Sequence, residues 1–282
     1  MKVIVANHAG FCFGVKRAVE KAYEQLNKKD NIKTYTLGEL IHNPHVVNDL
    51  YEKGIKSIED INSINENSRI IIRTHGISED LYSKLKEKNL EIEDMTCPFV
   101  KKVQNIVKKY YNNGYNIIIV GDEKHPEVRG VNGWCNNTAY IINSSENMEI
   151  IPKFNKACVV AQTTITQEQW EKVLKILKNK VKELISFNTI CDATNKRQKA
   201  AEELSHIVDI MIVIGGKKSS NTQKLKKICE KNCKKTYQIE SKEELNLILF
   251  KKDYTIGITA GASTPGYIIN DVVNELMYKK GE

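Results

Sequence analysis

A short pattern occurs three times along the 282 residues: an apolar strand leads to a cysteine, and an amphipathic helix follows at once. The cysteines of this repeat are Cys12, Cys97 and Cys191, and the helices after them are predicted to begin at Val15, Phe99 and Lys196. Parallel strands that alternate with helices are typical of α/β folds, which place their chemistry where a strand ends and a helix begins. The pattern therefore predicts three α/β units, each with a cysteine at the functional edge of its sheet.

Polar residues recur at similar distances from these cysteines. One set follows its cysteines by 28 to 30 residues and comprises His42, His125 and Ser219. A second set follows by 63 to 72 residues and comprises His75, Thr163 and Ser263. The turns of the first set are predicted helix starts, because each leads into a proline or a run of Ser, Asn and Thr residues. Since helix N-termini attract anions, the repeat predicts a cavity with thiolates on one side and a phosphate-binding wall.

The third repeat lacks its last strand, whereas the chain begins with an additional one. We therefore expect units at residues 12–96, 97–190 and 191–282, with residues 1–11 completing the third. Mostly parallel sheets would then close into a ring, and the three cysteines would converge on its axis.

Composition limits the classes of function. Seven cysteines, an odd number spread over the whole length, favour reduced thiols in the cytoplasm over a disulfide framework. The longest apolar runs, such as residues 210–214, are too short to span a bilayer. A net charge of +8 favours phosphorylated small molecules or acidic proteins as partners. No arginine-rich cluster interleaved with aromatic residues occurs, so nucleic acid is not an expected partner. The short apolar runs likewise argue against a membrane as a partner.

Three cysteines at one position of a repeat indicate a metal or cluster site. The remaining cysteines lie outside that position and are expected to be dispensable: Cys135, Cys158, Cys229 and Cys233. Glu127, beside His125, is the best candidate for a carboxylate proton donor. Three interpretations stay open on the residues alone: an iron–sulfur enzyme, a zinc hydrolase or structural zinc site, and a non-catalytic sensor of a phosphorylated metabolite.

Seven short motifs are spread along the chain, namely Gly10-Phe-Cys-Phe-Gly-Val15, Thr74-His-Gly76, Thr96-Cys-Pro98, His125-Pro-Glu127, Gln162-Thr-Thr164, Ser219-Ser-Asn221 and Ala260-Gly-Ala-Ser263. Together they closely resemble the 4-hydroxy-3-methylbut-2-enyl diphosphate reductase family, which catalyses the last step of the non-mevalonate isoprenoid pathway. The resemblance covers the whole length of the chain. It implies a three-lobed α/β trefoil around a central 4Fe–4S cluster.

The resemblance also implies the roles of individual residues. The cluster would be held by Cys12, Cys97 and Cys191, with one iron left open. The substrate would be bound by His42, His75, His125, Thr163, Thr164, Ser219, Ser220, Asn221 and Ser263. Glu127 matches the proton donor of the family, and Thr163, at a facing strand end, is expected to pass the proton on.

The implied reaction is the reductive dehydroxylation of 4-hydroxy-3-methylbut-2-enyl diphosphate to isopentenyl diphosphate and dimethylallyl diphosphate. Three thiolates fit this chemistry, because an open iron can act as a Lewis acid on the allylic hydroxyl. Two external electrons and protons are needed. The resemblance implies a reduced ferredoxin or flavodoxin as the donor, and a basic surface would attract such acidic proteins.

Overall fold

The computed structural model describes residues 1–28, 30–143, 148, 151–245 and 250–278. The strands in these residues are β1 (Lys2–Val5), β2 (Thr34–Leu37), β3 (Lys56–Ile58), β4 (Arg69–Ile72), β5 (Glu91–Asp94), β6 (Asn116–Val120), β7 (Tyr140–Ile142), β8 (Phe154–Ala161), β9 (Val181–Phe187), β10 (Ile210–Ile214), β11 (Thr236–Ile239) and β12 (Thr255–Ala260). The α-helices are α1 (Phe13–Leu26), α2 (Pro44–Glu52), α3 (Glu79–Glu87), α4 (Pro98–Asn112), α5 (Pro126–Asn132), α6 (Gln167–Leu177), α7 (Asp192–Ser205), α8 (Ser220–Asn232) and α9 (Gly266–Tyr278).

The strands form three four-stranded sheets in which the described neighbours are parallel. Their orders are β3-β2-β4-β5, β7-β6-β8-β9 and β11-β10-β12-β1, so the three sheets share one plan. In the third sheet β1 pairs with β12, from Lys2 opposite Thr255 to Val5 opposite Ile258. The N-terminal strand thus takes the place that β5 and β9 hold in the other two sheets. The predicted α/β fold with three parallel sheets is confirmed.

By packing, the chain divides into two compact units. The smaller comprises residues 1–15, 42–44 and 192–282 and contains the third sheet. The larger comprises residues 16–41 and 45–191 and contains the first and second sheets. Each of the three units expected from the repeat has its own sheet, and the boundaries between them stay a prediction.

Apolar strands explain why the sheets are parallel and covered by helices. All residues of β4 and of β10 are buried, as expected for strands with both faces covered. In the second sheet, Val103 of α4 and Trp170 of α6 belong to two separate apolar clusters. Alternate residues of β6 belong to one cluster or the other, so the two helices cover opposite faces of the sheet. Burial of each large aliphatic side chain contributes about 1.5–3 kcal/mol. In the described parts of the chain, no helix combines the length and the apolar character that crossing a membrane requires.

The amino-terminal edge of the first sheet is held by a buried arginine. Arg69 is 1 % exposed, and its Nη2 lies 2.8 Å from Asp30 Oδ2 and 2.6 Å from Glu91 Oε2. The hydrogen bond from Arg69 lowers the pKa of both carboxyl groups. Lys28 Nζ also lies 3.1 Å from Glu91 Oε1, so two positive and two negative charges balance and this edge is a structural ion-pair network.

Helix α7 begins at Asp192, directly after Cys191, and not at Lys196 as the sequence pattern predicts. Thr194 and Asn195 are weak helix formers, so local propensity hides this first turn. Thr194 is buried in the structure, and tertiary packing stabilises the turn. All three cysteines of the repeat therefore directly precede a helix.

Candidate active site

The three cysteines of the repeat have the same backbone environment. The amide N–H of each donates to a carbonyl two residues beyond the end of a neighbouring strand. The N···O distances are 3.2 Å from Cys12 to Ala262, 3.0 Å from Cys97 to Thr74 and 3.0 Å from Cys191 to Thr163. Each of the three cysteines therefore lies at the carboxyl edge of its sheet. All three side chains are half-buried and free of disulfides.

A helix begins directly after each of these cysteines. Partial positive charge at a helix N-terminus lowers the cost of a negative sulfur, which is the form that binds metals. The donor set therefore fits the predicted role of Cys12, Cys97 and Cys191 as metal ligands.

The other four cysteines are buried in apolar cores. Cys135 and Cys158 pack with α4 and the second sheet, and Cys229 and Cys233 pack with α7 and the third sheet. Burial raises the pKa of both Cys158 and Cys229 to about 12 and raises that of Cys135. Burial thus disfavours the thiolate form of Cys135, Cys158 and Cys229, which is the form that binds metals.

Glu127 lies in the first turn of α5 and is 2 % exposed. Its Oε1 accepts a hydrogen bond from the backbone N–H of Thr163 at 2.7 Å, and its Oε2 accepts one from the Thr163 hydroxyl at 2.7 Å. The carbonyl of Thr163 accepts the hydrogen bond from Cys191 N–H. One residue thus connects the carboxylate to a candidate ligand. A buried acid fixed against a hydroxyl is well placed for proton transfer.

The larger compact unit also brings His75 and His125 together. Their rings meet edge to face, with centroids 5.2 Å apart. His125 caps α5, because its Nδ1 accepts a hydrogen bond from Glu127 N–H at 3.1 Å. Two glycines permit this packing: Gly76 has a φ of +70°, and a Cβ on Gly130 would lie only 3.3 Å from the Gly76 carbonyl oxygen. The two glycines thus allow α5 to pack closely against the turn that follows His75.

Apart from Thr164, which belongs to the larger unit, the remaining candidate binding residues lie in the smaller compact unit. Ser219 is the N-cap of α8, and Ser220, its first residue, is half-buried. The Ser263 hydroxyl donates to the His42 carbonyl at 3.0 Å. Asn221 is 4 % exposed, yet neither atom of its side-chain amide has a hydrogen-bond partner within the described residues. An unpaired buried amide is costly, and a polar ligand would satisfy it.

The sheet register defines which residues are equivalent. Five residues beyond the ends of β2, β6 and β10 lie His42, His125 and Ser219. Three residues beyond the ends of β4, β8 and β12 lie His75, Thr164 and Ser263. The sequence offsets put Thr163 in the second set, but in the structure Thr164 is the residue equivalent to His75 and Ser263. The offsets are counted across loops of unequal length, so they do not mark equivalent positions exactly. Thr163 bonds Glu127 instead.

Two arginines that the sequence analysis did not identify donate hydrogen bonds to the loops that precede the cysteines. Arg17 of α1 donates from Nη2 to the Thr96 carbonyl at 2.8 Å. Arg197 of α7 donates from Nη2 to the Gly10 carbonyl at 2.8 Å. Each carbonyl lies one or two residues before a cysteine of the repeat. The signal for them is a basic residue five or six positions after a cysteine.

Comparisons with known proteins agree on one family. The chain matches the family described as LytB protein over residues 3–277. It is 59% identical over 284 residues, which cover 100% of this chain and 99% of the relative, to 4-hydroxy-3-methylbut-2-enyl diphosphate reductase of Thermoanaerobacter sp. (strain X514). The resemblance that the sequence motifs predict is thereby confirmed.

Two solved structures are similar to this one. The first is (E)-4-hydroxy-3-methyl-but-2-enyl diphosphate reductase, described as the terminal enzyme of the non-mevalonate pathway, with a TM-score of 0.73 and 40% identity over 99% of this chain and 100% of that chain. The second is E-1-hydroxy-2-methyl-but-2-enyl-4-diphosphate reductase from Plasmodium falciparum, with a TM-score of 0.92 and 30% identity over 98% of this chain and 88% of that chain. Both support the assignment of the fold.

Replacing Gly130 by alanine should destabilise the protein, although alanine inside a helix normally stabilises by about 0.5–1 kcal/mol. The added methyl would lie 3.3 Å from the Gly76 carbonyl oxygen, and a backbone atom cannot turn away as a side chain can. We expect overpacking to lower the free energy of unfolding by about 1 kcal/mol. Urea unfolding, with imidazole NMR signals of His75 and His125, measures both effects.

Gly266→Ala in α9 is the matched control, because no atom lies within 4 Å of its added Cβ. It should leave the free energy of unfolding unchanged or slightly higher. Equal stability of the two variants would contradict the close packing of α5 inferred above.

Proposed function

The chain belongs to the LytB protein family, and from that premise we propose that it is an oxidoreductase that reduces 4-hydroxy-3-methylbut-2-enyl diphosphate in the non-mevalonate pathway. The observation that carries the proposal is the buried pair of Glu127 and Thr163 beside Cys191. This pair connects an acid to a candidate cluster ligand. Relatives that match the full length of the chain have the same activity in their names.

We assign a 4Fe–4S cluster to Cys12, Cys97 and Cys191. Their half-buried thiols at helix starts fit the group, whereas the other four cysteines are buried in apolar cores. When bound, a cluster with three thiolate ligands supplies an open iron as a Lewis acid and passes electrons one at a time. Three thiolates would also suit zinc, and membership of the family favours the cluster.

The reaction consumes two electrons and two protons. The allylic C–O bond breaks and the hydroxyl leaves as water, while a new C–H bond forms. Isopentenyl diphosphate and dimethylallyl diphosphate differ in the carbon that receives this hydrogen. Protonated Glu127 delivers the proton to the departing hydroxyl. The Thr163 hydroxyl, which can accept and donate at once, relays it.

The diphosphate binds to side chains that follow strand ends of the three sheets, most of them at positions that the sheet register makes equivalent. They are His42, His75, His125, Thr164, Ser219, Ser220, Asn221 and Ser263. Support comes from the helix starts that carry several of them and from the unpaired amide of Asn221. Binding the diphosphate holds the hydroxyl end of the substrate in one position, which lowers the entropic part of the barrier.

Electrons reach the enzyme from a separate protein, a ferredoxin or flavodoxin. The net charge of +8 supports an acidic donor, since opposite charges accelerate encounter.

Anaerobic purification followed by iron, acid-labile sulfide and turnover measurements tests the proposal. We expect about four iron and four sulfide per chain, as in a 4Fe–4S centre, and turnover with dithionite. One zinc without sulfide would favour the hydrolase or structural-site alternative. An intact cluster without turnover would favour the sensor.

The cysteines should separate into two classes when each is replaced by alanine. Cys97→Ala removes a ligand and should abolish cluster assembly and turnover. Cys158→Ala, the matched control, should lose about 1 kcal/mol of stability from its core and keep its iron. Iron analysis and the visible spectrum measure the difference. Equal iron loss in both variants would refute the assignment.

Asn221→Leu should weaken substrate binding and yet stabilise the protein. Leucine has nearly the same shape and removes a buried unpaired amide, which costs about 1–3 kcal/mol. Thermal unfolding and competition by inorganic diphosphate measure the two effects. Thr259→Val is the control, because its buried hydroxyl also lacks a partner among the described residues. It should stabilise without changing diphosphate affinity. Unchanged affinity in Asn221→Leu would exclude a binding role.

Glu127→Gln should lower turnover by roughly 10² to 10⁴-fold, the usual contribution of a positioned acid. Glutamine keeps the size and most hydrogen bonds of the side chain, so cluster content and substrate affinity should stay close to wild type. Glu123→Gln, at an exposed position in the preceding turn, is the control and should be fully active. The measurement is steady-state turnover with dithionite. Near-normal turnover of Glu127→Gln would mean that another group supplies the proton.

A further inference from the structure

One face of α4 forms a shallow groove of about 410 Å³. It is lined by Pro98, Lys101, Lys102, Asn105, Ile106 and Lys109. These residues recur at intervals of three and four, so they lie on one side of the helix. The face begins at the residue after Cys97, which is the N-cap of α4.

This face carries an excess of positive charge. Helix α4 contains four lysines and no acidic residue. Lys101 is paired with Asp94 at 2.7 Å. Lys102 and Lys109 are exposed, and within the described ranges neither takes part in an ion pair. Two cations beside the groove are therefore available to a partner.

In the other two helices that follow a cysteine, an arginine near the start of the helix donates hydrogen bonds to backbone carbonyls. Arg17, the fifth residue of α1, binds the carbonyls of Met95 and Thr96. Arg197, the sixth residue of α7, binds the Gly10 carbonyl. Lys102, the fifth residue of α4, instead points a charge at solvent. Lys196, the fifth residue of α7, is exposed as well, but it is paired with Asp192 at 3.4 Å. Of the three helices, α4 is therefore the one whose fifth residue is an exposed cation without an ion pair among the described residues.

Apolar surface accompanies these charges. Phe99 is 42 % exposed, and Ile106 is half-buried in the groove. A small apolar centre with a charged rim is typical of protein interfaces, and transient redox complexes are among the smallest of them. The groove is too basic to bind a second copy of itself.

We propose that this face of α4 is the docking surface for the acidic electron-donor protein. The inference rests on the proposed function, since it needs Cys97 to hold the redox group. At a rise of 1.5 Å per residue, Lys101 and Lys102 lie only about 6 to 8 Å along the axis from Cys97. Each electron that is passed to the enzyme oxidises one reduced centre of the carrier, so two electron transfers complete a turnover.

Charge reversal at Lys102 and Lys109 tests the surface. The double variant Lys102→Glu/Lys109→Glu should raise the half-saturating concentration of a reduced two-cluster bacterial ferredoxin roughly tenfold or more at low salt. The effect should shrink with added salt, because screening shortens the range of surface charges. Turnover with dithionite, which needs no docking, should stay at the wild-type value.

The control is Lys175→Glu/Lys178→Glu, which makes the same change of charge. Both lysines lie at the end of α6, are exposed, and form no ion pair with any described residue. This variant should change the ferredoxin dependence less than twofold. If it matches the α4 variant, net charge alone governs encounter and the docking surface is wrong. Lys102→Gln/Lys109→Gln should give a smaller effect of the same sign and replaces the reversal variant should that one fail to fold.

Cross-linking supplies a readout that does not depend on activity. A zero-length carbodiimide should join ferredoxin carboxylates to Lys101, Lys102 or Lys109, and peptide mass mapping identifies the sites. Cross-links that avoid α4 would overturn the proposal. Dimers of this chain joined through α4 would show that a second copy covers the face. Wild-type protein with an intact cluster but no dithionite turnover would instead refute the proposed function.

Discussion

The hydrogen bond from each cysteine amide to a carbonyl beyond the neighbouring strand is the constraint on which the rest of the site depends. It ties the chain to the carboxyl edge of the sheet at the point where a helix begins directly after Cys12, Cys97 and Cys191. The backbone amide needs a hydrogen-bond partner at this half-buried position, and the carbonyl of the neighbouring loop supplies it. Because three sheets with one plan repeat the bond, three thiols acquire the same environment from quite different local sequences.

Burial separates groups that stabilise from groups that react. Arg69 is buried with two carboxylates that neutralise it, and four cysteines are buried as apolar residues. Asn221, by contrast, is buried without partners for its amide among the described residues. Natural proteins tolerate such a cost where function needs the group. The stability lost at Asn221 is consistent with a ligand that restores its hydrogen bonds.

The pair of Glu127 and Thr163 depends on packing at several levels. The His125 cap fixes the first turn of α5, and Gly130 lets that helix approach the turn that carries His75. The carboxylate then meets the end of β8, where Thr163 supplies both an amide and a hydroxyl. A change in the packing of α5 would therefore shift Glu127 and His125 and alter the contact between His125 and His75.

The sequence by itself determined the α/β class, the three parallel sheets, the cysteine positions and the family, because periodicity and motifs are local properties. It could not set the start of α7, where packing of Thr194 overrides weak propensity. Nor could it decide that Thr164 rather than Thr163 is equivalent to His75, since strand pairing fixes register and loop lengths do not. Only the tertiary structure decided that Arg17 hydrogen-bonds to a backbone carbonyl while Lys102 stays exposed to solvent. The outcome depends on which carbonyls lie within reach of each side chain.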